Sequence, residues 1–167
     1  MRLHTQNLQM EFWTLDLVRQ ALVDKHLVGQ TLGVQVPADW PNADVRKYVL
    51  PYLFACLEKG DDAGPWGGPV IHSADQAIIG TMGFKEPLGW EGILEIGYDI
   101  VPAYQGHGYA TEMAQGLVPW ALQQPGVRLI KAECLTSNAA SIRVLEKVGM
   151  RRRAQDEDMI YWELQRD

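Results

Sequence analysis

A chain of 167 residues has room for one domain with a core and a cleft, and 47% hydrophobic against 22% charged residues excludes a disordered composition. Its formal charge of -6, from 21 acidic and 15 basic residues, argues against a surface that neutralises nucleic-acid phosphates and suits weak steering of a cationic amine. Cys56 and Cys134 lie in apolar stretches without Cys-x-x-Cys or Cys/His spacing, so buried reduced thiols are expected and a zinc site or disulfide framework is not.

Residues 1–6 hold no apolar leader core and no apolar run is long enough to span a bilayer, which predicts a cytoplasmic chain with no membrane partner. Residues 5–12 alternate polar and apolar, as a half-buried strand does. Thr14 then caps a helix whose stripe of Leu15, Leu17, Val18, Ala21, Leu22 and Val23 ends near Gly29. Pro37, Trp40 and Pro41 mark a loop. A second helix starts at Asn42 or Asp44 and stops at Gly60, kinked or divided by Pro51. The turn-rich connection over 60–69 is too short for a domain linker.

Residues 69–73 and 77–85 read as a hairpin around 74–76. After a turn at 87–90, the alternation over 93–101 marks a strand whose two faces have different duties. Ala110, Met113, Ala114, Leu117, Val118 and Ala121 then line one side of an amphipathic helix, closed by Pro125-Gly126. A strand over 127–135, a helix over 138–147 stopped by Gly149, and a hairpin of 150–154 with 159–164 complete a single domain over 1–167. Arg151, Arg152 and Arg153, the basic cluster of the chain, read as a solvated turn between two strands.

Chemistry concentrates in the turn Gln105-Gly106-His107-Gly108-Tyr109-Ala110, which hands a strand over to a helix. The first amides of a helix are unpaired and carry the positive end of its dipole, so they bind phosphate. Glycines at 106 and 108 permit unusual dihedrals and close approach of oxygen atoms. A P-loop is excluded by the missing lysine-serine or lysine-threonine ending, and Thr111 stands where a dinucleotide-binding fingerprint needs its third glycine. Coenzyme A is the remaining common pyrophosphate ligand.

The run from Glu95-Ile96-Gly97-Tyr98-Asp99-Ile100 to Tyr104-Gln105-Gly106-His107-Gly108-Tyr109-Ala110-Thr111-Glu112 resembles the acetyl-CoA motif of the GNAT N-acetyltransferases. The segment from Asn138-Ala139-Ala140-Ser141 through Glu146-Lys147-Val148-Gly149 resembles their next motif, and Thr5-Gln6-Asn7-Leu8-Gln9-Met10 is similar to the first strand of the RimJ/RimL-like branch. That resemblance implies a mixed α/β (α+β) fold: a mostly antiparallel twisted sheet with a splayed parallel strand pair, flanked by about four helices.

It also implies acetyl-CoA as cofactor and an amine acceptor, either a small molecule or a peptide N-terminus, with a homodimer left open. Pantetheine amides are expected on the backbone of Ile100 and Val101, the pyrophosphate on the turn from Gln105 through Gly106, His107, Gly108 and Tyr109 to Ala110, and the cofactor arm beside Asn138. Glu95 is the expected base, with Glu91, Asp99 and Glu133 as fallbacks. Many relatives protonate the leaving thiolate with a tyrosine of the last helix, where this chain has Leu145; Ser141 is the expected substitute, with Tyr98 and Tyr109 as other donors. His107 is expected to face solvent or phosphate. Trp40, Tyr48, Trp66 and Trp90 are candidates for an apolar acceptor pocket. Loss of the tyrosine leaves a non-catalytic acyl-CoA-binding module as the alternative.

Overall fold

The computed structural model describes residues 1–60, 66–85 and 91–166. The strands are β1 (Arg2–His4), β2 (Leu8–Glu11), β3 (Gly67–His72), β4 (Ala77–Phe84), β5 (Ile93–Ile100), β6 (Leu129–Leu135), β7 (Arg151–Gln155) and β8 (Met159–Gln165). They form one sheet in the order β1-β2-β3-β4-β5-β6-β8-β7, antiparallel throughout except between β5 and β6. The described helices are α1 (Leu15–Val23), α2 (Lys25–Leu32), α3 (Leu50–Glu58), α4 (Tyr109–Leu122) and α5 (Ala139–Val148).

Two layers of helix cover the sheet. On one face Met113, Ala114, Leu117, Val118 and Ala121 of α4 and Val144 and Leu145 of α5 pack on Leu8, Val70, Ile79, Leu94 and Ile96. On the other, Leu17, Val18 and Ala21 of α1, Val28 of α2 and Leu50 and Leu53 of α3 enclose Trp40, Ile71, Ile78 and Val101. Strand β4 is therefore buried on both sides, whereas β6 alternates buried and exposed residues because α1–α3 do not reach it.

The expected sheet forms, but its start differs from the sequence reading. The Thr5 amide donates to the Leu8 carbonyl at 2.9 Å, so residues 5–7 of the strand read over 5–12 form a turn, and the remaining strand β2 pairs with β1, which lies before that span. The helix read from Thr14 to Gly29 is two, which raises four expected helices to five among the described residues. Asp24 is extended: its amide closes α1 on the Gln20 carbonyl at 2.8 Å and its carboxylate caps α2 at the His26 amide at 2.9 Å. Gly29 does not stop α2, since it sits under Val34 and Val36; Gly33, at φ 69°, does.

Pro51 falls in the first turn of α3, behind a π-helical turn over Val45–Val49, where a missing amide is tolerated. Arg151–Arg153 belong to the exposed edge strand β7 rather than to a turn. Arg152 there pairs with Glu146 at 3.1 Å over the Trp162 ring, and Arg153 lies 3.8 Å from Glu163. Cys134 is buried and Cys56 only partly so. No helix of the described residues is long and apolar enough to cross a membrane. The segment read at 61–65 and the turn at 87–90, with Trp90, lie outside the described residues.

Glu112 ties the first turn of α4 to the β1–β2 turn. Its carboxylate accepts from Thr5 Oγ1 at 2.6 Å, the Asn7 amide at 2.7 Å and Asn7 Nδ2 at 2.9 Å. Burial works to raise its pKa, but these donors outweigh it and hold the carboxyl below the ordinary range. A depressed carboxylate contributes stability that is present above its unfolded pKa and lost as pH falls through the folded one. Glu112→Ala is expected to cost about 1–2 kcal/mol in urea denaturation at neutral pH, and the gap to wild type should narrow as pH falls below the ordinary glutamate range.

Candidate active site

Strand pairing opens the site. Strands β5 and β6 are in parallel register only at Ile93 with Leu129, Leu94 with Ile130 and Glu95 with Lys131. Beyond that, β5 stays on β4 through the Gly80–Ile100 pair while β6 stays on β8 to the Leu135–Met159 pair, so the strands part. In β5 the Glu95 carbonyl accepts from the Lys85 amide and the Val101 amide donates to the Ile79 carbonyl, each at 2.8 Å. Peptide groups alternate along a strand, so those of Ile96, Tyr98 and Ile100 turn the other way, into the gap.

This corrects the expected backbone ligands. Both Val101 main-chain groups are spent inside the protein, the amide on Ile79 and the carbonyl on the Tyr104 amide at 3.0 Å. Ile100 does face the gap, although its carbonyl already accepts from Gln105 Nε2 at 2.8 Å. Tyr98, whose main chain the sequence reading did not single out, faces the gap as well.

The glycine turn has the geometry a diphosphate needs. Gly106 and Gly108 take φ of 79° and 83°, and a Cβ at either would meet nothing within 4 Å, so the space beside the main chain is open. Gly108 is the N-cap of α4 and supplies no side-chain cap, and the first recurring bond is that of the Glu112 amide to the Gly108 carbonyl at 2.9 Å. The amides from Gly108 to Thr111 thus end the helix without acceptors among the described residues, with the helix dipole behind them.

Around the turn, the exposed Gln105 folds back along the chain, its amide bonded to the Pro102 carbonyl at 3.2 Å and its side chain donating to the Ile100 carbonyl, which braces the turn. His107 is exposed and stacks on Tyr109, with ring centroids 5.6 Å apart. The Tyr109 hydroxyl is 3.0 Å from His72 Nε2, which takes it away from the thioester side and removes it as a proton donor. Ala110 packs against the core beneath the turn.

A cleft of about 560 Å³ passes through the gap between the strands. On the α5 side it is walled by Tyr98, Cys134, Asn138, Ser141 and Leu145, and on the α1–α3 side by Asn42, Asp44, Tyr48, Thr81 and Asp99. Asn138 Oδ1 accepts from the Ser141 amide at 3.1 Å, so it caps α5 while facing the cleft. Of the aromatics suggested for an acceptor pocket, Tyr48 and Trp66 line the cleft. Trp40 instead is wholly buried and donates through Nε1 to Thr81 Oγ1 at 2.8 Å.

Glu95 is not placed as a base. Its carboxylate forms a close ion pair with Lys85, which also lies 3.5 Å from Glu133. Burial works against the Lys85 charge, but Glu95 and Glu133 outweigh it and hold that ammonium above its ordinary range. Of the fallbacks, Asp99 and Glu133 line the cleft, and Glu133 shares Lys85 with Glu95 whereas Asp99 has no cation beside it among the described residues of the cleft wall it occupies. Burial pushes its pKa up to about 6, against the opposing pull of the Thr81 main chain and the Asn42 side chain. Sequence alternation put Asp99 opposite Tyr98 in facing; that α1–α3 would cover only its half of the sheet was not legible.

Residues 14–151 match the model of the Acetyltransferase (GNAT) domain. An N-acetyltransferase of uncharacterised role from Bacillus subtilis, YjdG, is 30% identical over 148 residues, 88% of each chain. An acetyltransferase of the GNAT family from Bacillus anthracis superposes with a TM-score of 0.65 at 22% identity over 99% of both chains. RimL, a ribosomal L7/L12 alpha-N-protein acetyltransferase solved in complex with coenzyme A, superposes with a TM-score of 0.68 at 17% identity over 99% of this chain and 98% of that one.

The chain belongs to the GNAT acetyltransferase family. It is an acyltransferase whose cofactor is acetyl-CoA, and the open amide turn and the free strand edge fit that cofactor's diphosphate and pantetheine amides. A thioester donor places the transferred acetyl group on a good leaving group, which leaves the protein to position an amine and move protons.

Gly108→Val forces a branched side chain into a positive-φ position and into the open phosphate space, at a cost of about 1–2 kcal/mol in backbone strain alone. Calorimetry with acetyl-CoA should show affinity lowered by about ten-fold or more in a variant whose circular dichroism is native-like. Cys134 has no histidine beside it among the cleft residues, and its Sγ accepts from Trp162 Nε1 at 3.3 Å. Cys134→Ala is therefore expected to keep most of its turnover, and loss of turnover in the folded variant would point to a covalent acyl-enzyme instead.

Proposed function

We propose that this single domain transfers the acetyl group of acetyl-CoA to a primary amine by direct attack in a ternary complex, with Asp99 as the base. The observation that carries this reading is the Asp99 carboxyl itself, facing the cleft with a pKa of about 6. A group of that pKa is ionised at neutral pH yet holds a proton better than an ordinary carboxylate, which is what removal of a proton from an ammonium or an attacking amine requires.

The residues divide the work. The amides from Gly108 to Thr111 hold the diphosphate, Tyr98 and Ile100 offer main-chain groups to the pantetheine arm, and Asn138 borders that arm. Ser141, on the same wall, is placed to steady the departing sulfur. Asp44 and Asp99, both lining the cleft, favour a cationic acceptor, and Tyr48 and Trp66 give its carbon frame apolar contact.

Within this class we place the chain in the RimJ/RimL-like branch and read a protein N-terminal amine as one acceptor among primary amines. The similarity of Thr5–Met10 to that branch and the superposition on RimL support this placement.

Thiol release from acetyl-CoA across a panel of amines and N-terminal peptides tests the reading. Turnover with amines supports it, whereas tight acetyl-CoA binding with no turnover on any amine would favour the non-catalytic module that Leu145 raises. For Asp99 the sign is set by its raised pKa: the base form disappears as pH falls, so kcat/KM should decline below about pH 6. Asp99→Asn should lower kcat by about 10²–10³-fold and abolish that acid limb, while Glu95→Gln should leave the limb in place.

A further inference from the structure

Tyr98 and Asp99 are consecutive on β5, so their side chains leave the sheet on opposite faces. Asp99 goes to the α1–α3 side with Thr81 and Asn42. Tyr98 goes to the α4–α5 side, packed against the core cluster that includes Cys134 and Leu145. Both line the one cleft that runs between the parted strands, so a thioester lying in the gap has a carboxylate on one side and a phenol on the other.

The phenol is conspicuous by its lack of a partner. Tyr98 Oη is shut off from solvent and is the buried side-chain polar atom, among the described residues, that makes no hydrogen bond. Leaving such a hydroxyl unpaired costs about 1–3 kcal/mol, a cost that a bound ligand with an acceptor atom would remove. The groups around it are those of the thioester wall: Cys134 adds to the rise of its pKa above the ordinary phenol value, a rise caused first by burial, and Ser141 opposes it without meeting Oη in hydrogen-bond geometry. Leu145, the residue at the position where a tyrosine of the last helix is frequent in the family, is 2% exposed on the same wall and has no proton to give.

We infer that Tyr98 is a catalytic residue of the transfer: its hydroxyl, reaching the gap from β5, hydrogen-bonds the sulfur of the donor thioester and supplies the proton the departing thiolate takes up. This rests on the acetyl-transfer reading above. As the amine nitrogen forms its bond to the carbonyl carbon, the C–S bond breaks and its electron pair stays on sulfur. Asp99 accepts the amine proton, and Tyr98 gives its own to sulfur. The phenolate regains a proton from solvent and Asp99 releases one there, so one proton has moved from nitrogen to sulfur in each turnover. A serine alcohol is a far weaker acid than a phenol, which leaves Ser141 to steady the sulfur by a hydrogen bond.

Tyr98→Phe removes only the unpartnered oxygen, so the fold is expected to survive. Turnover should fall by about 10²-fold while the calorimetric affinity for acetyl-CoA changes by less than about two-fold. A second readout needs no turnover: the ultraviolet absorbance of the thiolate reports the titration of the thiol in bound coenzyme A. That titration should move up by about one pH unit in Tyr98→Phe, and stay put in Asp99→Asn, which loses the acid limb instead. Unchanged kcat together with an unchanged bound-thiol titration in folded Tyr98→Phe would overturn the assignment while wild-type turnover kept the transfer reading intact. Failure of the wild-type protein to bind acetyl-CoA would sink both.

Discussion

Strands β5 and β6 pair at three residues and then separate, and the chemistry of the protein is organised by that short pairing. Each strand is fully engaged on its other side, β5 with β4 and β6 with β8, so neither can bend across to close the gap. A strand edge that has lost its neighbour presents unpaired amides and carbonyls, and an extended ligand with amides of its own can take the neighbour's place. The pantetheine arm of acetyl-CoA is such a ligand. Two half-sheets joined at one end therefore act as a built slot, kept rigid by helices on both faces.

Because the slot passes through a sheet, its two openings face different helical layers. One opening is lined by α5 and the buried face of β6, the other by the π-helical turn, Asn42 and Thr81 of β4. Alternation along β5 then assigns opposite chemistry to adjacent residues, a carboxyl to the acceptor side and a phenol to the thioester side. Neither group is tuned by a strong ion pair; desolvation is the first cause of the shift for both. Glu95, four residues before Asp99 on the same face, lies where the strands still pair and Lys85 reaches it. Position along the splay, more than residue type, separates a base from a structural ion pair.

At the other end of β5 the chain must turn sharply and start a helix whose first amides stay open. Glycine at 106 and 108 makes the turn possible at positive φ, and the absence of any side-chain cap leaves the amides available. An uncapped helix start is weakly held, and Glu112 offsets this by fastening the first turn of α4 to the β1–β2 hairpin through three hydrogen bonds. The N-terminal hairpin thus supports the cofactor turn from across the sheet.

Sequence by itself determined the strands, the glycine turn and the helix beginning at residue 138, because each rests on local rules of alternation, positive φ and glycine stops, while the mixed sheet and the cofactor class followed from the resemblance of two motifs to a known family. It read the first helix as one, since a single aspartate divides an element without altering its apolar stripe, and it began the first strand in the turn at 5–7, leaving β1 unread. It named Glu95 as base and Val101 as a backbone ligand, and could list Asp99 only as a fallback. Which peptide edge is free, which carboxylate meets a lysine and which hydroxyl is left unpaired depend on groups far apart in the chain. Tertiary structure alone decided them, because desolvation and strand separation exist only once both layers of helix have closed on the sheet.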